Sequence, residues 1–246
     1  MKKWVFLSPH FDDVVLSAGG LVWELTARGD KVEIWTICAG DPPFGKELTD
    51  YARMLHIFWE LGENDVPYSR SREDEACCEV LGADYSRYTV PDCIYRVIPG
   101  TEEALIKVPD DINMPPEPEE PYLTPPVTDF LRKNLMPGTE LVTPLSIGHH
   151  RDHVLVRQAA ERLGIQLWHY VDYPYIDQKQ YDLAEWLPAE AELLSVQVSP
   201  QGLTAWQDGI ACHHSQIVFF WPDVEGMRTA IETYAKSGGG GTIWKF

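Results

Sequence analysis

Short apolar runs alternate with amphipathic stretches along the chain and predict strands and helices that follow one another. Residues 4–7 are uniformly apolar, which is typical of a strand buried on both faces. Across residues 12–28 the apolar positions recur at helical spacing, and Gly29 follows as a stop signal. A second apolar run lies within residues 31–39. This strand–helix–strand order indicates a parallel sheet with a right-handed crossover.

The same alternation continues and predicts one α/β domain over residues 1–246, Rossmann-like, with a mostly parallel sheet and helices on both faces. Further strands are predicted at 88–97, 141–145, 167–170, 193–198 and 242–246, and further helices at 47–61, 72–81, 127–135, 152–163, 206–215 and 224–236. Two segments, 41–71 and 97–126, interrupt the pattern and are predicted to be insertions. The second is rich in proline and acidic at 117–120, so we expect a surface loop or lid rather than a core element.

Composition and charge narrow the classes of partner. The chain has 38 acidic and 20 basic residues, a net charge of −18, and no basic block, which argues against binding to nucleic acid or anionic lipid. No apolar run approaches the roughly 18–20 residues that a membrane-spanning helix needs. The five cysteines form no CxxC pair, which favours reduced thiols and a cytoplasmic protein. A monomer and a homo-oligomer both remain open.

The first candidate site follows the first predicted strand. Residues 8–13 read Ser-Pro-His-Phe-Asp-Asp, and sites in open α/β sheets form beyond the carboxyl ends of strands. The imidazole of His10 and the carboxylates of Asp12 and Asp13 offer two metal ligands and one spare base. The simpler alternative is that Asp12 caps the next helix while His10 packs in a turn.

A second cluster, His-His-Arg-Asp-His at 149–153, also lies between a predicted strand and a helix. His150 and His153 are three residues apart and can face the same point on a helix. Exposed histidines at a helix start are the alternative. If both clusters meet in one crevice, two histidines and an aspartate suit zinc with an open position. The same set matches non-haem Fe(II) oxygenases, but those usually have β-barrel folds.

The two clusters resemble the motifs of the PIG-L/LmbE-like de-N-acetylases, zinc enzymes that deacetylate N-acetylglucosamine-containing substrates. The family's His-Pro-Asp-Asp-Glu corresponds to residues 10–14 and its His-x-Asp-His to residues 150–153. An Arg-x-x-Glu helix at 72–75, Leu81-Gly82, Asp92 and Ser215-Gln216 also match. Phe11 and Val14 depart from the pattern. The similarity covers about 1–40, 70–96 and 127–220.

The resemblance implies a role for each matching residue. It assigns zinc binding to His10, Asp13 and His153, catalysis to Asp12, and sugar contacts to Arg72 and Asp92. The chemistry agrees with these roles, since Asp12 could take a proton from a zinc-activated water and return it to the leaving amine. His150 would stabilise the oxyanion, and Asp152 would orient an imidazole from outside the ligand set.

The leading hypothesis is therefore a zinc-dependent hydrolase that removes an acetyl or acyl group from an N-acetylglucosamine-like amino sugar, with Fe²⁺ as the other candidate metal. Alternatives are an amidase acting on a thiol conjugate or an acylated natural-product glycoside, and a non-catalytic metal- or sugar-binding relative. Retention of Asp12 favours an enzyme. Trp59 is the one aromatic residue that we expect to contact a sugar. Residues 172–175 are expected to form either a wall of the crevice or a simple turn. His213 and His214 point apart on a helix and are not expected to form a site.

Overall fold

The computed structural model describes residues 1–43, 47–61, 66–113, 120–177 and 181–246, and within these ranges one seven-stranded sheet organises the chain. The strands are β1 (Lys3–Ser8), β2 (Lys31–Thr36), β3 (Asp84–Arg87), β4 (Thr139–Pro144), β5 (Trp168–Tyr170), β6 (Glu192–Ser195) and β7 (Thr242–Lys245). They lie in the order β3-β2-β1-β4-β5-β7-β6. The first five are parallel, and β7 runs antiparallel to both of its neighbours. The predicted, mostly parallel α/β fold is confirmed.

Helices cover both faces of the sheet, as predicted. They are α1 (Asp13–Ala27), α2 (Asp50–Phe58), α3 (Val66–Leu81), α4 (Thr124–Asn134), α5 (Arg151–Glu161), α6 (Pro200–Ala211), α7 (His214–Phe220) and α8 (Val224–Lys236). Successive strand residues point to opposite faces, so Trp4 and Phe6 pack with α1, α3, α6 and α8, whereas Val5 and Leu7 pack with α4 and α5. No helix in the described residues is long and apolar enough to cross a membrane.

Two predicted elements need correction. The strand predicted at 88–97 is wrong, because β3 precedes it and the later residues form single bridges and a 3-10 turn at Cys93–Tyr95. β3 is an edge strand of mostly polar residues, so an apolar pattern does not reveal it. The helix predicted from residue 72 begins at Val66, with Pro67 in its first turn, where the missing N–H group has no helical partner to lose. The predicted insertion at 41–71 therefore ends inside α3.

The segment 97–126 also differs from the prediction that it stays outside the core. Leu105 and Ile106 are buried and pack with Tyr51 of α2 in a third apolar cluster. The short apolar run at 104–106 has neither helical nor strand periodicity, so the sequence pattern does not predict this contact. Of the acidic run, residues 117–119 lie outside the described residues, whereas Glu120 is buried.

Candidate metal centre and active site

The two histidine–aspartate clusters meet at the carboxyl edge of the sheet. β1 and β4 are paired neighbours, and each cluster begins just beyond the end of one of them. The ring centres of His10 and His150 lie 4.8 Å apart, and those of His10 and His153 lie 5.7 Å apart. One nitrogen from each of the three histidines lies within 4.8 Å of the others. Both clusters therefore face one crevice.

Asp13, the first residue of α1, lies between two of these histidines. Its Oδ2 is 3.1 Å from His10 Nδ1, and its Oδ1 is 3.2 Å from His153 Nε2. His153 Nε2 is buried, and among the described residues its 3.2 Å contact with Asp13 Oδ1 lacks the geometry of a hydrogen bond. A buried nitrogen without a well-formed hydrogen bond calls for a ligand, and two imidazoles with one carboxylate form a donor set that suits zinc. The three predicted ligands thus fit a metal site with an open position.

Three hydrogen bonds fix the turn that carries His10 and Asp13. Ser8 Oγ donates to the His10 carbonyl at 2.5 Å and accepts the Val14 N–H at 3.2 Å. The His10 N–H donates to Asp13 Oδ2 at 2.7 Å. These bonds hold the turn although Phe11 stands where the family motif has proline.

A carboxylate holds each of the two candidate ligand histidines from behind. Asp152 Oδ2 lies 2.9 Å from His10 Nε2, and Asp172 Oδ1 lies 2.6 Å from His153 Nδ1. Such contacts fix the ring orientation and raise the basicity of a metal ligand. Asp152 was predicted to orient an imidazole, and here it faces that of His10. The sequence analysis did not predict that Asp172 orients His153. The available signal was the position of Asp172 just beyond β5.

The charges of this cluster favour a bound cation. Burial works against a charge on His10, but Asp92 and Asp13 raise its pKa well above the usual value. Burial has the same effect on His153, yet Asp13 and Asp172 raise its pKa to about 9. Burial would raise the pKa of Asp13, whereas His153 and His10 lower it well below its usual value. The carboxylates thus stabilise positive charge here, and a divalent cation would displace the imidazole protons.

Asp12 lies beside this group and faces the cavity. Its side chain makes no capping hydrogen bond to α1 within the described part of the chain, so the simple capping alternative is wrong. Its Oδ1 is 3.2 Å from Arg70 Nη2. Burial raises the pKa of Asp12, and Arg70 opposes this rise without cancelling it. A buried carboxylate of raised pKa suits a group that takes up and returns a proton.

The arginine of the site is Arg70, and the sugar contact predicted for Arg72 is corrected. Arg72 lies on the exposed face of α3 and pairs with Glu75, whereas Arg70 is buried with its Nη1 3.8 Å from Asp92. The sequence contains two overlapping Arg-x-x-Glu motifs, at 70–73 and 72–75. The two arginines point about 200° apart around the helix. The structure selects the first motif, whose Glu73 accepts hydrogen bonds from the N–H and the Oγ of Ser215.

Two aromatic rings enclose Arg70. Its guanidinium carbon lies 4.8 Å from the centre of the Trp59 ring and 5.5 Å from that of Phe11. Phe11, a departure from the family motif, therefore supplies one side of a cation–π sandwich. Trp59, the aromatic residue predicted to contact a sugar, lines the cavity. One face of the Trp59 ring is covered by Arg70.

The surroundings of His150 favour a neutral imidazole that can donate a hydrogen bond. It is the N-cap residue of α5, and its Nδ1 accepts the N–H of Asp152 at 3.2 Å. Burial, with His10 and His153 nearby, lowers the pKa of His150 well below its usual value. Since Nδ1 accepts a hydrogen bond, the proton of the neutral ring belongs on Nε2. The predicted oxyanion-stabilising role requires such a donor.

A cavity of about 250 Å³ opens onto these groups. Its polar floor contains His10, Asp12, Asp13, Arg70, Asp92 and His150, and its walls are mostly apolar, including Trp59, Ile94, Ile112, Tyr175 and Phe219. Gln216, which matched a family position, also lines it, whereas His213 is buried elsewhere and does not. Pro109, Ile112 and Asn113 bring the segment 97–126 into the wall. A small apolar cavity with a few convergent polar groups is the usual form of a small-molecule site.

A histidine–aspartate donor set and the Arg70-paired carboxylate of Asp12 lie together at the carboxyl ends of parallel strands, an arrangement that suits a hydrolase acting on amide C–N bonds with a bound metal. The chain belongs to the PIG-L family, described as GlcNAc-PI de-N-acetylase, which it matches over residues 5–164, a range that includes both clusters.

Individual relatives agree with this assignment. The 2'-N-acetylparomamine deacetylase of Niallia circulans is 29% identical over 196 residues, which cover 72% of this chain and 69% of the relative. A deacetylase of the teicoplanin biosynthesis pathway, solved as a bog complex, is 25% identical with a TM-score of 0.79, over 99% of this chain and 97% of that chain. The zinc-inhibited form of teicoplanin deacetylase is 24% identical with a TM-score of 0.77 and the same coverage.

Proposed function

We propose that this protein is a zinc-dependent hydrolase that removes an acetyl or longer acyl group from the amide nitrogen of an N-acetylglucosamine-like amino sugar. The observation that carries the proposal is the content of one small cavity. His10 and Asp13 of the His–Asp–His donor set line it together with the carboxylate of Asp12 and the neutral imidazole of His150. The third donor, His153, contacts Asp13 at 3.2 Å. Relatives described as deacetylases in aminoglycoside and glycopeptide chemistry support the same reaction.

Each residue has a defined task in this reaction. His10, Asp13 and His153 would hold the zinc, which when bound lowers the pKa of a water towards about 7 and polarises the acyl carbonyl. Asp12 takes a proton from the attacking water and passes it to the nitrogen, because an amine leaves in the neutral form. His150 donates its Nε2–H to the developing oxyanion.

Arg70 and Asp92 complete the polar floor around the sugar. Arg70 holds Asp12 towards the cavity through the 3.2 Å contact between Nη2 and Oδ1. Asp92 offers a carboxylate acceptor to a sugar hydroxyl from the same floor. These contacts orient the ring so that its amide faces Asp12 and His150.

The surroundings of the cavity favour an acylated natural-product glycoside as the particular substrate. A volume of about 250 Å³ lies below the roughly 300–1,000 Å³ of typical ligand pockets, so it suits one sugar ring rather than a whole glycoside. At its edge, the half-exposed ring of the wall residue Phe219 meets that of Phe58 edge to face at 5.7 Å. An apolar aglycone attached to the sugar would contact these rings.

Metal analysis combined with a substrate panel tests the proposal. The purified protein is analysed for zinc and iron, and acetate or fatty acid release is measured from N-acetylglucosamine, 2'-N-acetylparomamine and an N-acylated glycopeptide. Zinc with release from any of these supports the proposed reaction, and release from the glycopeptide alone supports the natural-product glycoside. Iron with higher activity after anaerobic Fe²⁺ loading would correct the metal. Neither metal nor release would indicate a non-catalytic binding protein.

A further inference from the structure

A chain of buried charges connects the segment 97–126 to the candidate metal centre. Glu120 Oε1 lies 3.0 Å from Arg96 Nε, and Arg96 Nη2 lies 2.5 Å from Asp152 Oδ1. The other oxygen of Asp152 meets His10 Nε2 at 2.9 Å. All four side chains are buried, and Asp152 has no exposed surface. The ion pairs are thus shielded from the solvent and salt that weaken such contacts at a protein surface.

Arg96 determines which way the carboxylate of Asp152 faces. With Oδ1 paired to Arg96, Oδ2 is directed at His10 and also accepts the Cys93 N–H at 3.0 Å. Arg96 Nη1 in turn donates to the Pro91 carbonyl at 3.1 Å. A planar guanidinium can meet these separate acceptors at once, which a lysine ammonium cannot do.

Glu120 in turn orients the guanidinium of Arg96. It lies in the turn that leads into α4, where its carbonyl accepts the Leu123 N–H at 3.1 Å. A buried arginine between two carboxylates is stable only while both remain in place. The position of residue 120 is therefore linked, through two ion pairs, to the orientation of the His10 ring.

We propose that Arg96 and Glu120 are positioning residues of the metal centre, which fix the His10 ring through Asp152 and so couple the turn at 120–123 to metal affinity. The proposal rests on the proposed metal site and extends it beyond the carboxylate that touches His10. Coupling of this kind is reciprocal, so bound metal must also stabilise the turn. The competing interpretation is that these ion pairs only anchor the segment to the fold.

Zinc affinity, measured by chelator competition on purified full-length protein, separates the two interpretations. Arg96→Met should bind zinc roughly 10–100-fold more weakly, as expected when a contact behind a metal ligand is lost. Arg96→Lys should remain weakened although it keeps the charge, and Glu120→Gln should change affinity in the same direction by a smaller factor. The matched control is Asp74→Asn, which disturbs the pair between the buried Asp74 of α3 and the partly exposed Arg87 of β3 and should leave zinc affinity unchanged.

Two further readouts do not depend on activity. The visible spectrum of the Co²⁺-loaded protein should shift in Arg96→Lys, because the ligand ring is no longer held. Amide exchange at Glu120, Tyr122 and Leu123 should slow when zinc is added to the wild type. It should not slow when zinc is added to the Glu120→Gln variant. Folded Arg96→Lys and Glu120→Gln proteins with wild-type zinc affinity would overturn the proposal. If instead the wild type binds no metal, the proposed function itself fails.

Discussion

Replacement of Asp12 by asparagine tests the proposed chemistry most directly. Asparagine keeps the size and can still accept from Arg70 Nη2, but it cannot take up a proton. Among the described residues that line the cavity floor, the other carboxylates have other proposed tasks: Asp13 contacts the ligand histidines, and Asp92, 3.8 Å from Arg70, is the acceptor for a sugar hydroxyl. Neither replaces Asp12 directly, so turnover should fall by roughly 10²–10⁴-fold, or about 2.7–5.4 kcal/mol in activation free energy.

The assay measures acetate release and metal content on the same preparation. Zinc content should match the wild type, because Asp12 is outside the proposed ligand set. Asp74→Asn is the matched control, since Asp74 is also a buried carboxylate paired with an arginine, Arg87 at 3.1 Å, but lies outside the cavity. It should keep normal turnover per folded molecule. Near-normal turnover of zinc-loaded Asp12→Asn would refute the assignment of Asp12 as the base.

Three other substitutions test the proposed zinc ligands, the stacking of Phe11 on Arg70, and the loss of folding stability at acid pH. His153→Ala removes one of three proposed ligands and should leave little bound zinc; stoichiometric zinc of unchanged affinity would show that the ligand set is wrong. Phe11→Leu removes one ring from Arg70, and because a cation–π contact contributes about 0.5–2 kcal/mol, kcat/KM should fall roughly 2–30-fold at unchanged zinc content. Phe11→Tyr should restore it, and failure of that rescue would contradict the role of the ring. Burial lowers the pKa of His169 to about 4, below the roughly 6.5 of an unfolded chain, so its contribution to stability is complete above about pH 6.5 and is lost as the pH falls through 4. The full effect is about 3 kcal/mol, and urea unfolding at pH 7 and pH 5 should show a smaller acid loss for His169→Phe than for the wild type; equal losses would refute this reasoning.

The parts of the fold that the sequence predicted are those whose burial is visible in a local pattern. β1 contains the apolar run 4–7, and β4 contains the apolar pair Leu141–Val142, because helices cover both sides of the sheet centre. Such buried positions are visible in the sequence. β3 lies at the sheet edge, half exposed and mostly polar, and its pairing with β2 depends on tertiary position alone. Leu105 and Ile106 were missed for a related reason, since α2, a distant element, buries them.

The same distinction applies to the site. The residues 10–13 and 150–153 were predicted because each cluster is contiguous and ends a buried strand, so sequence order already places them at one edge. Asp172 and Arg96 act through side chains that are far apart in sequence, at 19 residues from His153 and 56 residues from Asp152. For Arg96 a single sequence contains no local signal, and for Asp172 the signal is its position just beyond a predicted strand.

Their positions around helix α3 distinguish Arg70 from Arg72. The buried residues of α3 follow one another at intervals of three or four positions, except for the two adjacent cysteines. They are Val66, Arg70, Asp74, Cys77, Cys78 and Leu81. A search for apolar periodicity skips the two charged members and therefore starts the helix too late. Burying a charge is costly unless it is paired, so a charged residue in the buried stripe of a helix must have a partner across the fold. For Arg70 the partner is the proposed catalytic carboxylate of Asp12, and for Asp74 it is Arg87. When two copies of a motif overlap in a helix, the better candidate for the functional motif is therefore the copy whose arginine lies on the buried face of the helix.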